Sequence, residues 1–359
     1  VPERTIEDLG FTSEDAPEPR TRRSRRDDRG RGRRRSWLRR TLVALLVIVL
    51  LVVAAVVGFG VFLGATVDKN VTQGQFLPSP QDNPVTAPDG SAIPTSGVGT
   101  NFLVIGTDGR SASDRGRSDV IVLVHIPENP STIQMIHFPR DLYVSIPGHG
   151  KNKINAAYAF GGEPLLVRTL QNMLGIRIDH VARTNFTGFK AMTDAVGGVR
   201  VYAEEGNDAG GNGGVVIKKG WNELNGEQAL GFVRERHELS QGDISRGRRQ
   251  LAFIKALLLK ATSSETITNP LAVARFTDAA TKNLVVDENL GVSEMKDYVL
   301  QLRGIRGNDV VFATAPYTGF AMDPVAGSID VVDQKKMALL GKALRTDSMD
   351  TYLDVYQTP

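Results

Sequence analysis

From Thr41 to Val67 the chain runs for 27 residues without a charged side chain, directly behind a block of arginines. Such a run exceeds the roughly 20 apolar residues that cross the hydrocarbon core of a bilayer. A buried helix of a soluble core rarely keeps this character over so many turns. A cleaved signal peptide is the rival reading, but its apolar region spans only about 7–15 residues before a small-residue site. Leu63-Gly64-Ala65 makes a poor site of that kind. The pattern predicts an uncleaved transmembrane anchor over 41–67. Behind it, Pro78, Pro80, Pro84, Pro88 and Pro94 break any periodicity, which predicts an extended stalk over 68–98.

From Gly99 onward, short apolar β-branched runs alternate with segments of helical spacing. Strands are expected at 101–105, 119–126 and 132–138, then at 180–186, 199–203, 310–313 and 328–331. Helices are expected at 154–160 and 163–174, separated by Gly161–Gly162, and at 187–196, 226–233 and 243–262. Further helices are expected at 270–282, 292–302 and 333–344. The sequence DAGGNGG at 208–214 reads as a loop. This interleaving predicts an α/β fold: one layered α-β-α domain with a central mixed sheet and a single core, preceded by a single transmembrane helix. The expected organisation is a disordered arginine-rich tail at 1–40, the anchor at 41–67, the stalk at 68–98, a globular domain at 99–347 and a short C-terminal tail at 348–359.

Charge sharpens this picture. The 359 residues carry a net charge of +3, yet residues 1–40 hold 13 arginines against 8 acids, so the remainder of the chain is slightly acidic. The basic character belongs to the tail, whose self-repelling composition favours disorder. Basic residues before the span and none in excess after it place the N-terminus in the cytoplasm and the domain outside it. There is no cysteine. Disulfides, thiolate metal sites and cysteine nucleophiles are therefore excluded. The sequence contains no GxSxG, HExxH or P-loop motif, and its five histidines lack zinc-ligand spacing.

The remaining chemistry is arginine beside carboxylate at strand ends. Asp108 and Arg110 follow the first strand, Arg117 and Asp119 open the second, and Arg140 and Asp141 follow the third. Ligands of open α/β sheets bind at the carboxyl ends of strands. Asp119, at a strand start, reaches that edge only if its strand is antiparallel to its neighbours. A second group lies downstream, with Arg234 and Arg236 in VRERH and with Asp243, Arg246 and Gln250 sharing one helical face. Arginines at a helix N-terminus oppose the helix dipole, a tension that a bound anion relieves. Carboxylates and arginines without histidine or thiol suit a phosphate or pyrophosphate accompanied by a hard cation.

The segments NFLVIGTDGR (101–110), RSDVIVLVHI (117–126), FPRDLYVSIPGHGKNKINAAYAFGG (138–162) and ALGFVRERHELSQGDISRGRRQ (229–250) resemble the LytR-CpsA-Psr family, over roughly residues 98–345. The resemblance implies a phosphotransferase that moves a glycopolymer from a polyprenyl-pyrophosphate carrier onto a muramic-acid hydroxyl of peptidoglycan. It implies Asp108 and Asp119 as ligands of magnesium, with manganese as the alternative ion. Arg117, Arg140, Arg234, Arg236, Arg246 and Gln250 are implied to hold the pyrophosphate, with Lys153 and Asn155 lining the site. Asp141 is expected to orient Arg140, and Asp243 the late arginines. The expected partners are the lipid-linked glycan, peptidoglycan and membrane lipid, without nucleic acid; the C-terminal extension of some members is expected to be absent. The glycan is expected to be of teichoic acid, capsule or arabinogalactan type, the last if the source is an actinobacterium with a mycolic-type wall. A pyrophosphatase using the same site is the nearest alternative, and a membrane-bound transcriptional regulator is a distant one.

Overall fold

The computed structural model describes residues 28–84, 86–94, 98–107, 118–208, 214–240, 242–306 and 309–356. The chain divides into two units, Val1–Val61 and Phe62–Pro359. Helix α1 occupies Asp28–Asn70. Its part Leu50–Asn70 is the one stretch among the described residues long and apolar enough to cross a membrane. It overlaps the predicted anchor. Residues 28–40, expected to be disordered, are helical. Arginine is a good helix former, and extending an existing helix costs far less than nucleating one.

The main sheet of the second unit has seven strands. In chain order they are β1 (Thr72–Gly74), β2 (Thr100–Thr107), β3 (Ser118–Ile126) and β4 (Ile133–His137), then β7 (His180–Asn185), β10 (Val285–Asp287) and β11 (Val310–Thr314). They lie in the order β1-β10-β7-β2-β3-β4-β11 and form a mixed sheet, with β3 antiparallel to both β2 and β4. Alternation along β2 sends Leu103 and Ile105 to one face and Phe102 and Val104 to the other. The first face packs under α2 (Ile154–Leu174), α9 (Gln334–Arg345) and α10 (Met349–Val355), through residues such as Leu166, Leu170, Leu340 and Tyr352. The second face packs against Ile254 and Leu258 of α5 (Asp243–Ala261) and against Tyr298 of α8 (Val292–Gln301). The expected α-β-α layering is therefore present. Gly162 interrupts α2 with a left-handed φ of 67°, at the place where two helices were expected.

A second sheet, in the order β12-β13-β5-β6, contains β5 (Leu142–Ile146), β6 (Gly150–Lys153), β12 (Tyr317–Asp323) and β13 (Gly327–Val332). A two-stranded hairpin of β8 (Val199–Ala203) and β9 (Gly220–Leu224) covers a separate apolar cluster. That cluster also includes Phe189 of α3 (Phe186–Ala195), Phe232 of α4 (Gly226–Arg234) and Phe253 of α5. The single core expected from the sequence is thus divided into clusters on three surfaces. Strands β1, β5, β6, β9, β10 and β12 were not read from the sequence, because most are short and carry polar or glycine residues.

Two segments differ from expectation. The predicted stalk packs onto the domain: β1 pairs in parallel with β10, and Phe76, Ala87 and Ile93 are buried. Arg345 donates to Asp89 at 2.6 Å and Gln171 to Asn83 at 2.9 Å. Prolines forbid regular hydrogen-bonded structure but not packing, which is why composition suggested a free linker. The predicted C-terminal tail contains α10, whose Met349 and Tyr352 are buried. Truncation of Phe76 to Ala should destabilise the domain by about 3–5 kcal/mol, the usual cost of deleting a buried phenylalanine. Denaturant unfolding of the detergent-solubilised chain measures this; an unchanged midpoint would mean that the segment is a free stalk.

Candidate active site

The register of β3 and β4 builds the centre of the site. His137 pairs with Val122, and the Phe138 N–H donates to the Ile121 carbonyl at 2.9 Å. Continuing this antiparallel register places Arg140 opposite Asp119. Arg140 Nη1 donates to Asp119 Oδ1 at 2.8 Å, and both side chains are about four-fifths shielded. The antiparallel setting of β3 is what brings the start of one strand to the exit of its neighbour. Asp141 follows at the entry of β5. Its Oδ2 lies 3.5 Å from Arg140 Nε, and its Oδ1 accepts from Lys153 Nζ at 2.9 Å. The Asp141 carbonyl also accepts from the Asp330 N–H of β13 at 3.0 Å. Asp141 therefore faces the Arg140 side chain that it was expected to orient. Asn155 is buried at the start of α2, and its N–H donates to the Arg140 carbonyl at 3.2 Å.

The second wall is the first two turns of α5. Asp119, His137, Arg140, Asp141, Arg246, Gly247, Gln250 and Asp330 line one small cleft together. Arg246 and Gln250, four residues apart on one helical face, both reach it, and both are buried. Gly247 permits this approach, since a Cβ there would lie 3.1 Å from His137 Cε1. The cleft thus joins residues from 119–141, 246–250 and 330, which are far apart in the chain. Its two arginines, backed by carboxylates, form a partly shielded anion site of the kind that binds phosphate through bidentate contacts.

Other expected residues fall elsewhere. Arg234 and Arg236 do not line this cleft: Arg234 is exposed with its guanidinium 4.9 Å from the Phe186 ring centroid, and Arg236 Nε is 3.4 Å from His237 Nε2. Asp108 and Arg117 lie outside the described residues, as does the side chain of Asp243. Among the described residues, no group of three or more His, Asp or Glu side chains could hold a metal ion. Asp119 supplies a hard oxygen donor beside the arginines, which fits magnesium, an ion that takes one or two carboxylates with phosphate oxygens and water. His137 and Asp330 were missed. A buried histidine at a strand end carries no distinctive spacing, and Asp330 joins the cleft only through the pairing of β13 with β5.

His137 is fully enclosed. Burial first, and then the positive charge of Arg246, depress its pKa to about 4, against the opposing effect of a hydrogen bond to Gln250. At neutral pH the imidazole is uncharged and adds no positive charge beside Arg246. The unfolded chain binds this proton near pH 6.5, so the histidine's contribution is complete above that value and declines as pH falls toward 4. About 2 kcal/mol of stability should be lost from this group between pH 7 and pH 5. Denaturant unfolding at the two pH values should show a smaller difference in His137→Gln than in the wild type. An equal difference in both would show that His137 is not the titrating group.

A family model, the LytR_cpsA_psr family, matches residues 77–346. The chain is 35% identical over 263 residues to the Corynebacterium glutamicum protein named "Probable cell wall biosynthesis protein LcpB", covering 69% of this chain and 61% of LcpB. It is 31% identical over 259 residues to the Bacillus subtilis polyisoprenyl-teichoic acid–peptidoglycan teichoic acid transferase TagT, covering 69% of this chain and 76% of TagT. The crystal structure of B. subtilis TagV superposes with a TM-score of 0.59 at 27% identity, covering 70% of this chain and 99% of TagV. The family model and the shared fold agree, and the chain belongs to the LytR-CpsA-Psr family.

Proposed function

We propose that this protein is a membrane-anchored transferase that moves a wall glycopolymer from a polyprenyl-pyrophosphate carrier onto a muramic-acid hydroxyl of peptidoglycan. The observation that carries this reading is the cleft in which Arg140 and Arg246 converge beside Asp119. The acceptor hydroxyl attacks the phosphorus that bears the glycan, the bond to the polyprenyl phosphate breaks, and the hydroxyl proton is released. Arg140 and Arg246 bind the pyrophosphate and neutralise charge as the lipid phosphate leaves. Asp141, itself paired with Lys153, positions Arg140, and neutral His137 packs behind Arg246. Asp119, with Asp108, would hold magnesium, which supplies further neutralisation of phosphate charge when bound. The likeness to TagT, named as a teichoic acid transferase, supports a wall polymer of teichoic acid type, and that to LcpB supports a role in cell wall biosynthesis.

Arg140→Ala and Arg246→Ala should each lower transfer by about 100- to 1,000-fold, the usual cost of losing one such electrostatic stabiliser. The assay follows glycan transfer from lipid-linked donor to peptidoglycan fragments in detergent, with chelator and Asp119→Ala as companion arms expected to abolish activity. Full activity in both arginine variants would reject the cleft as the reaction centre. Lipid phosphate released at the same rate without acceptor would make the protein a pyrophosphatase.

The charge asymmetry around the anchor supports a cytoplasmic N-terminus and an external domain. A reporter that matures only outside the cytoplasm should be active when fused after Pro359. Activity of a cytoplasm-dependent reporter at that position would put peptidoglycan out of reach.

A further inference from the structure

The β8–β9 hairpin buries one face, through Val199, Val201, Ala203 and Leu224, and presents the other to solvent. That outer face is aromatic. Tyr202 and Trp221 are cross-strand partners with ring centroids 5.4 Å apart at an interplanar angle of 74°. Trp221 is 61% exposed and Tyr202 49%. Arg200 stands 4.7 Å from the Trp221 ring and leaves most of the indole open. Beside the pair lies an open cleft lined by Tyr202, Glu204, Glu205, Ser245, Arg248 and Arg249. Arg248 faces Glu204 across its mouth at 3.3 Å, and Glu205 accepts from Ser245 Oγ at 2.6 Å.

We infer that this hairpin and cleft form a subsite for a pyranosyl glycan chain, a reading that rests on the proposed transferase function. A pyranose ring has an apolar face of C–H groups that suits the electron-rich face of an indole or phenol ring. Its equatorial hydroxyls need donors and acceptors at the rim, which Arg248, Glu204 and the Tyr202 hydroxyl supply. A cross-strand aromatic pair also stabilises a hairpin, but that role does not require an adjoining polar cleft.

The position of the cleft supports a substrate role. Ser245, Arg248 and Arg249 occupy one side of the opening turns of α5, whereas Arg246, Gly247 and Gln250 line the phosphate cleft on the other. The two clefts therefore share the opening turns of α5, and a glycan chain long enough to span that helix would reach both. The shared chemistry is a pyranosyl chain, from either the acceptor strand or the donor polymer.

The test uses the full chain in detergent with Trp37→Phe, which leaves Trp221 as the sole tryptophan. Titration with peptide-free peptidoglycan strands and, separately, with a galactan oligosaccharide should change Trp221 fluorescence in a saturable way. A response to the first marks the acceptor chain, and a response to the second marks the donor. By a separate binding assay, Trp221→Ala and Arg248→Ala should each weaken glycan binding by about tenfold or more. Melting midpoints of both variants verify folding, and Arg248→Ala keeps the test open if the hairpin variant unfolds. No response to either glycan, or unchanged binding in folded variants, overturns the inference. Binding of inorganic pyrophosphate to the wild type is measured in parallel. Its loss with the glycan response intact would sink the transferase reading alone.

Discussion

The site depends on one ion pair. Arg140 and Asp119 meet because β3 and β4 are antiparallel and in a register that, extended beyond the ladder, sets them opposite each other. Slipping that register by one residue would turn each side chain to the other face of the sheet. The apolar residues of β3 and β4 prevent such a slip, because Leu123 and Ile136 would leave one core and Val122 and Met135 the other. Packing of the sheet thus fixes the geometry of a polar site that contributes little to the core itself. The pair is shielded enough for its attraction to exceed that of a surface ion pair, yet open enough for a ligand to reach it.

Around this pair the structure places supports of different kinds. Asp141 faces Arg140 and is itself paired with Lys153 of the second sheet, and the Asn155 backbone ties the arginine's own carbonyl to the start of α2. At the end of β4, His137 is kept neutral by burial and by Arg246, so the cleft gains no further cation from it at neutral pH. Gly247 lets α5 come close enough for Arg246 and Gln250 to reach the same space. These arrangements position positive charge where an anion can bind, with little reorganisation required on binding.

The same turns of α5 contribute to a second cleft beside the β8–β9 hairpin. One helix therefore presents a phosphate-binding side and a side next to exposed aromatic rings. A polymer transferred through its phosphate needs both kinds of surface, because the reacting phosphorus is small and the chain it carries is long. Orientation of that chain is one way in which binding remote from the reaction can assist the reacting centre.

Much of this was legible in the chain. The charge-free run behind the arginines, the alternation of strand and helix, and the recurrence of arginine beside aspartate at strand ends are local patterns, set by neighbours in sequence. Asp119, Arg140, Asp141, Arg246 and Gln250 could be singled out from them, and α5 showed its shared face through helical spacing. What the sequence could not show were properties created by distant pairing. Asp330 enters the cleft through β13, the segment at 68–98 is packed rather than free, and Arg234 and Arg236 fall outside the cleft despite their motif. His137 differs from any other histidine only because the fold buries it against Arg246. Local periodicity is written in the order of residues, whereas burial, register between strands and the meeting of charges arise only when segments far apart in the chain are packed together.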